Sequence, residues 1–345
     1  MSLYVTLMRQ AQSCAALGSP FMAQMLPILA RVWPVGSALD RAVAGFEGDI
    51  GPNGHSLPLR LASGLHALVL TGQDAGLAAV YPPNAASDDR LAAALTGALE
   101  RHAAFLLDWI TSAPQTNEVR RSAVLIAGTH ALVHRTGVAQ VHLSELGASG
   151  GLNLMFDRFA LMAGDTRLGP EDAALTLMPD WTGPAPVAAP FVVTDRRGVD
   201  LNPLDPHKPD EALRLRAYLW ADQAHRVALT DAAIKASCAI VDRGDAVNWL
   251  ERRLADAPKA RIHLIFHTVA WQYFPSDRQA RGTALIEAAG ARATPDTPVA
   301  WLRMEADGAA RGASVTARLW PGNIHITLGR ADFHGRWVDW SGDPD

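Results

Sequence analysis

Up to about residue 112, apolar positions recur every three or four residues, the repeat of one buried helix face. Ser19-Pro20 reads as a cap followed by proline at the first helical position. Beyond it Phe21, Met25, Leu26, Leu29 and Val32 keep helical spacing. Leu61 to Leu77 and Leu91 to Ile110 are further helical runs, the second with Asp88 or Asp89 as a cap. Tyr81-Pro82-Pro83-Asn84 breaks the chain between them. No strand alternation precedes Val138, so residues 1–112 predict a helical lobe. A polar run, Gln115-Thr116-Asn117-Glu118-Val119-Arg120-Arg121-Ser122, then opens a helix that continues through Leu125 to Val133. Thr116 or Asn117 suits its cap.

From Val138 the period changes. A short β-rich run ends at Glu145, a glycine cluster follows at 147–151, and Leu152, Phe156, Phe159 and Ala160 return to helical spacing. The Gly-, Pro- and Asp-rich stretch from about 163 to 190 reads as an insertion with a small hairpin. Strands are predicted at 191–193, 239–242, 261–266 and 298–304, separated by helices at 209–235 (broken near Trp220-Ala221-Asp222), 246–254 and 277–289. Val315, Ala317 and Leu319, then Ile324, Ile326 and Leu328, alternate with polar residues around Pro321-Gly322-Asn323, the pattern of an antiparallel hairpin. The whole predicts an α/β domain over 113–345, with a mostly parallel sheet closed by that hairpin and preceded by the helical lobe.

Composition narrows the classes. The chain has 345 residues, 49% of them hydrophobic and 19% charged, enough to bury a large core. A net charge of −4 with no basic tract argues against a protein built to coat nucleic acid. Cys14 and Cys238 are far apart in sequence and offer neither a disulfide framework nor metal spacing, so a reducing compartment is expected. No stretch reaches the ~18 apolar residues of a membrane span, and the N-terminus lacks the basic start and long apolar run of a signal peptide. These features predict a cytoplasmic protein with no membrane partner and no metal.

The candidate chemistry centres on Glu145-Leu-Gly147-Ala-Ser149-Gly150-Gly151-Leu-Asn153. A glycine turn at the carboxyl end of a strand is where open α/β sheets bind ligands. The dinucleotide fingerprint wants glycine at its third and sixth places, but Ser149 and Leu152 stand there. The phosphate loop wants Lys-Ser/Thr after its last glycine, and none is present. The Glu-x-Gly-x-Ser-x-Gly spacing resembles the first motif of class I S-adenosylmethionine-dependent methyltransferases, with serine at the middle glycine. Gly147-Ala-Ser149-Gly-Gly151 also satisfies the nucleophile elbow of α/β-hydrolases. A glycine turn made only for strand–helix packing is the third possibility.

The order of elements over the C-terminal two-thirds resembles the Rossmann-like class I methyltransferase fold. The chain as a whole resembles an uncharacterised bacterial family, domain of unknown function 2332. That resemblance rests on Gln-Thr-Asn-Glu at 115–118, the 145–153 motif, Gly-Val-Asp-Leu-Asn-Pro at 198–203 and Trp-Gln-Tyr at 271–273. The methyltransferase likeness implies S-adenosylmethionine as cofactor and a small-molecule methyl acceptor. Glu145, Gly147, Ser149, Gly151 and Asn153 would hold its methionine and ribose end. Asp200 would take the ribose hydroxyls, although it lies 55 residues after Glu145 where about 20 is usual; the insertion absorbs the difference. Asp245, in a Gly-Asp-Ala after the third strand, would meet the adenine, or simply cap a helix. His267 is the candidate general base. Gln115, Asn117, Glu118, Trp271 and Tyr273 are expected to wall the acceptor, in a pocket shared with the cofactor and roofed by the helical lobe. Two readings stand beside this one: a hydrolase with Ser149 as nucleophile, and a non-catalytic binding protein on a degenerate methyltransferase scaffold.

Overall fold

The computed structural model describes residues 2–52, 54–255, 260–309 and 311–342. The chain divides into two compact units, Met1–Thr116 with His207–Ala228, and Asn117–Pro206 with Leu229–Asp345. The helices are α1 (Leu3–Ala16), α2 (Pro20–Arg31), α3 (Ala38–Ala44), α4 (Leu57–Leu70), α5 (Ala75–Ala78), α6 (Asp88–Arg101), α7 (Ala103–Trp109), α8 (Ser122–Thr136), α9 (Pro209–Ala217), α10 (Ala224–Ala236), α11 (Ala246–Arg253) and α12 (Ser276–Ala291).

The first unit is helical. Short polar side chains start its helices, as helix N-termini with unpaired N–H groups require. Ser19 accepts from Met22 N–H, Ser37 from Asp40 N–H, Asp74 from Leu77 N–H and Ser87 from Arg90 N–H. The core gathers the periodic apolar positions, among them Leu7, Met25, Leu26, Leu29, Leu61, Leu65 and Leu95. The segment 207–228 belongs to this unit, which the sequence boundary at 112 does not foresee. Its Asp222 carboxylate accepts from Ser19 Oγ at 2.8 and 2.9 Å and from Phe21 N–H at 2.9 Å, and Trp220 joins the core.

The second unit is built on a nine-stranded sheet. Its strands, with those of a smaller sheet, are β1 (Gln140–Leu146), β2 (Phe159–Ala163), β3 (Thr166–Leu168), β4 (Leu175–Leu177), β5 (Asp180–Thr182), β6 (Val192–Asp200), β7 (Ile240–Arg243), β8 (Ile262–Thr268), β9 (Val299–Glu305), β10 (Ala313–Trp320), β11 (Ile324–Ala331) and β12 (Trp337–Trp340). The order in the large sheet is β5-β12-β11-β10-β9-β8-β1-β6-β7. The pairs from β7 across to β9 are parallel, β9 to β12 run antiparallel in turn, and β12 pairs β5 in parallel. The chain therefore works outward from β1 in one direction, through β6 and β7, and then in the other, through β8 and β9. That leaves a switch point between β1 and β8.

Successive strand residues face opposite ways, and both faces of the sheet are covered. Ile265, Val299 and Trp301 pack with Trp249 and Leu250 of α11 and Ile286 and Ala289 of α12. On the other face Leu302 fills the space over Gly128 of α8, and Phe266 meets Phe156 edge-on.

One expectation fails here. The positions 152, 156, 159 and 160 were predicted to form a helix face, but the chain makes a seven-residue 3-10 turn at Leu152–Arg158 and enters β2 at Phe159. β2 pairs β3 in a hairpin and β4 in parallel, and Phe159 and Leu161 bury their side chains in that small sheet. Pairing partners more distant in sequence outweigh a short helical period. The insertion thus begins at the glycine turn itself and forms the whole β1-to-β6 connection.

The packing of α12 yields a test. A Cβ on Gly282 would sit 2.6 Å from the Trp271 ring. Alanine in a helix interior gains about 0.5–1 kcal/mol over glycine, whereas overpacking a filled core costs about 1–3 kcal/mol. Gly282→Ala is expected to lower the thermal midpoint, while Gly244→Ala, with open space around its Cβ, leaves it within about 1 kcal/mol of the wild type; thermal unfolding of both variants checks this.

Candidate functional site

Because β7, β6, β1, β8 and β9 are parallel, their carboxyl ends share one edge of the sheet. There β1 ends with Glu145 and Leu146, β6 with Asp200, and β7 is followed by Gly244 and Asp245. The register places Leu146 beside Val199 and Glu145 beside Phe266.

The turn after β1 runs through three left-handed residues, Gly147 (φ +73°), Ser149 (φ +52°) and Gly151 (φ +70°). Only the serine carries strain there. The N–H groups of Gly147 and Ala148 both donate to Val199 O, at 2.9 and 3.0 Å. Ser149 N–H donates to Asp200 Oδ2 at 2.9 Å, and Asn202 N–H to Asp200 Oδ1 at 2.8 Å. Asp200 is thus the peg on which the turns after β1 and β6 hang together. Gly147 lies so close to the loop after β8 that a Cβ on it would stand 2.6 Å from Ala270 Cβ, and one on Gly151 would meet Val241 at 2.7 Å.

The polar run at 117–122 sits against the same turn. Asn117 Oδ1 accepts from Leu152 N–H at 2.9 Å, and Ser122 Oγ donates to Asn153 Oδ1 at 2.8 Å. Arg121 extends the contact to β8, donating to Thr268 O at 3.0 Å and to Phe333 O at 2.8 Å. Glu118 Oε1 accepts from Arg120 N–H at 3.2 Å and caps the turn Val119–Arg121. Gln115 belongs to the first unit.

Two polar atoms of the turn are buried without hydrogen-bond partners among the described residues, Glu145 Oε2 and Ser149 Oγ. Glu145 is 2% exposed and Ser149 6%. Burial pushes the Glu145 carboxyl well above its usual range, the charge of Asp200 adds to the rise, and Arg121 offsets part of it. A strongly perturbed acid at a strand end marks a candidate site.

His267 is placed differently from the expectation. It is fully buried; its Nε2 accepts from Trp301 Nε1–H at 3.0 Å, so its Nδ1 carries the proton and donates to Glu305 Oε1 at 2.6 Å. The ring also stacks on Trp271, with centroids 5.0 Å apart. Both nitrogens are engaged, leaving none for a general base. His267 shares its sheet face with Trp301 and α12, whereas Asn117 and Ser122 lie with α8 and the 152–158 turn, so the expected meeting of His267 with the polar run does not occur. Trp271 is buried in the same aromatic cluster, while Tyr273 is 65% exposed. Asp245 Oδ1 accepts from Asn248 N–H at 2.9 Å as the cap of α11, with Arg278 3.8 Å away.

The residue that sequence reasoning missed is Glu305. Its carboxylate accepts from His267 and from the N–H groups of Ala270, Trp271 and Gln272, at 2.9, 3.1 and 3.3 Å for the three backbone donors. Burial alone would raise its carboxyl, but these bonds, led by that of His267, hold it below the usual range. It anchors a loop whose first residue, Val269, is held at φ +55°, a strained conformation for a β-branched side chain. Nothing local announces this; the contact exists only through the β8–β9 register.

A family model described as "Uncharacterized protein conserved in bacteria (DUF2332)" matches residues 5–340. No curated protein matches the chain. A solved structure of SCL7 in Oryza sativa is similar at 11% identity and a TM-score of 0.27, over 72% of this chain and 65% of that one, so the chain spans less than two thirds of that relative. A likeness of that size supports no inference about fold or function.

Two outcomes follow from this geometry. Glu305→Gln is expected to lose about 1.5–3 kcal/mol at neutral pH, the worth of bonds to a charged group. Because the Glu305 carboxyl titrates below its unfolded value, its contribution is present above about pH 4.3 and fades as pH falls through the folded value, so the gap between wild type and variant should narrow in acid. Denaturant unfolding across that range measures it. Ser149→Gly should hold or raise the thermal midpoint and Ser149→Val should lower it, since only glycine adopts the left-handed conformation without cost.

Proposed function

We propose that this chain, which belongs to the bacterial DUF2332 family, binds S-adenosylmethionine in a class I methyltransferase-like manner and acts on a small-molecule acceptor. The observation that carries the reading is the row of acids on one sheet edge. Glu145 stands at the end of β1, Asp200 ends its neighbour β6, and Asp245 follows β7. Crevices at such switch points are where open α/β sheets take nucleotide ligands.

The residues fit the polar parts of a nucleoside. Among the described residues, Glu145 Oε2 and Ser149 Oγ have no hydrogen-bond partner. Asp200 Oδ2 accepts from Ser149 N–H and Oδ1 from Asn202 N–H, and a carboxylate oxygen can accept a second bond. When bound, the cofactor supplies a methyl group already activated on a sulfonium, so catalysis is chiefly alignment of an acceptor. The task of this chain's residues is to bind and orient. Asp200 would take ribose hydroxyls, Asp245 the adenine edge, and Asn117 and Asn153 would keep the turn in shape. His267 would act through Glu305, holding the 269–273 loop and thereby Tyr273, rather than by moving a proton.

A second reading, a non-catalytic binding protein on the same scaffold, is favoured by one observation. The turn opens a 3-10 turn instead of an α-helix, and the N–H groups of Gly147 and Ala148 are spent on Val199 O. Against the hydrolase alternative, Ser149 Oγ has no hydrogen-bond partner among the described residues, whereas a nucleophilic serine pairs with a base.

Calorimetry with S-adenosylmethionine and S-adenosylhomocysteine tests the proposal. Binding is expected, with stabilisation of about 2.7 kcal/mol at a hundredfold excess over Kd, and Ser149→Gly should retain it. Absence of binding of both at millimolar concentration rejects the cofactor. Stoichiometric labelling of Ser149 by a fluorophosphonate probe would restore the hydrolase.

A further inference from the structure

The sheet face that packs against α12 continues from β9 onto β10, in the antiparallel half of the large sheet. Successive strand residues alternate between faces, so Trp301, Arg303 and Glu305 of β9 share this one. Across the strand pair Arg303 stands opposite Thr316 and Trp301 opposite Arg318. The Arg303 guanidinium lies over the Trp301 ring, its carbon 4.5 Å from the centroid. The side chain is half-buried; its Nε is buried without a hydrogen-bond partner, and no carboxylate pairs with the group among the described residues. The acids nearby are committed elsewhere. Glu305 accepts from His267 and from the N–H groups of residues 270–272. Glu287 of α12 accepts from Arg318 at 2.5 Å, and Asp307 from Arg330 at 2.7 and 3.0 Å. Burial and then the charge of Arg318 lower the Arg303 guanidinium from its usual range, and Glu305 offsets part of the fall; a guanidinium stays charged even so.

We propose that Arg303 anchors a second binding site, on the face shared by β9, β10 and α12, and that this site takes the carboxylate of a small organic acid. A half-buried cation without a counter-ion is costly, and a carboxylate removes that cost with two oxygens in one plane, the match of the guanidinium fork. The Trp301 ring beneath holds the plane of the fork. The Thr316 hydroxyl, opposite in register, is a second donor. Arg318, at the next position of β10 on this face, adds positive charge from one side, although its own N–H groups go to Glu287 and Asn323. On the other side stands the negative Glu305, which disfavours a doubly charged phosphate and leaves a singly charged group as the better fit. None of these residues belongs to the turns after β1, β6 or β7, so the inference stands apart from the cofactor reading.

Calorimetric titration of the whole chain with sodium acetate and sodium benzoate, compared with sodium chloride and sodium phosphate at equal ionic strength, tests this. Both carboxylates are expected to bind in the millimolar range, phosphate more weakly and chloride not at all. Arg303→Met keeps an apolar stem on Trp301 but no donor, and should weaken acetate binding by about tenfold or more, the worth of hydrogen bonds to a charged group. Arg303→Lys keeps the charge without the fork and should fall between the two. A wild type that responds to acetate and benzoate no more than to chloride overturns the proposal. So does tighter binding of phosphate than of acetate, or acetate affinity unchanged in Arg303→Met or Arg303→Lys. The comparison of anions on the wild type needs no variant, and Arg303→Lys localises the site should Arg303→Met fail to fold.

Discussion

The geometry of the second unit turns on the closeness of two loops. The turn after β1 and the loop after β8 touch where Gly147 faces Ala270, with no room for one more carbon atom. Parallel strands bring these loops to one edge, but the approach itself needs devices on both sides. On one side Asp200 and Val199 O gather the N–H groups of residues 147–149. On the other, Glu305 gathers those of residues 270–272. Each turn is shaped by an acceptor from the adjacent strand, so the sheet edge is held by hydrogen bonds within the chain itself.

The residue type most suggestive of chemistry in the sequence, His267, belongs to the scaffold, locked between Trp301 and Glu305. Among the described residues, Glu145 Oε2 and Ser149 Oγ are two of the buried polar atoms without a partner, one on a strand-end acid and the other on a serine in a glycine's conformation. A buried polar group without a partner costs about 1–3 kcal/mol, and two of them in one turn are a cost that packing elsewhere must offset.

Much of the fold was legible because its signals are local. Helix caps at Ser19 and Asp245 and the period-2 alternation around Pro321 rest on residues a few positions apart, whereas the cap expected at Asp88 or Asp89 is Ser87 and the strand expected at 191–193 runs on to Asp200. What escaped was non-local. The spacing of Leu152, Phe156 and Phe159 suits a helix, yet Phe159 is claimed by β4, sixteen positions further on in register with Leu175. The clamp on the 269–273 loop depends on Glu305, which no motif distinguishes from any other glutamate at a strand end. The same holds for Asp222, where the sequence shows only a break in the 209–235 helix but whose carboxylate is bonded to Ser19 and Phe21 near the start of the chain.

That last bond bears on how the protein is made. The first unit is discontinuous: its core includes Trp220 and its second helix is pinned by Asp222, so it lacks these parts until residues 207–228 have left the ribosome. By then β1, β5 and β6 have already been synthesised, whereas β7, β8 and β9 have not. N-terminal units usually fold first during synthesis. Here the helical unit stays incomplete until Trp220 and Asp222 emerge, and the first three strands of the large sheet wait with it. Completion of one unit and the beginning of the other's sheet are thus bound to the same stretch of nascent chain.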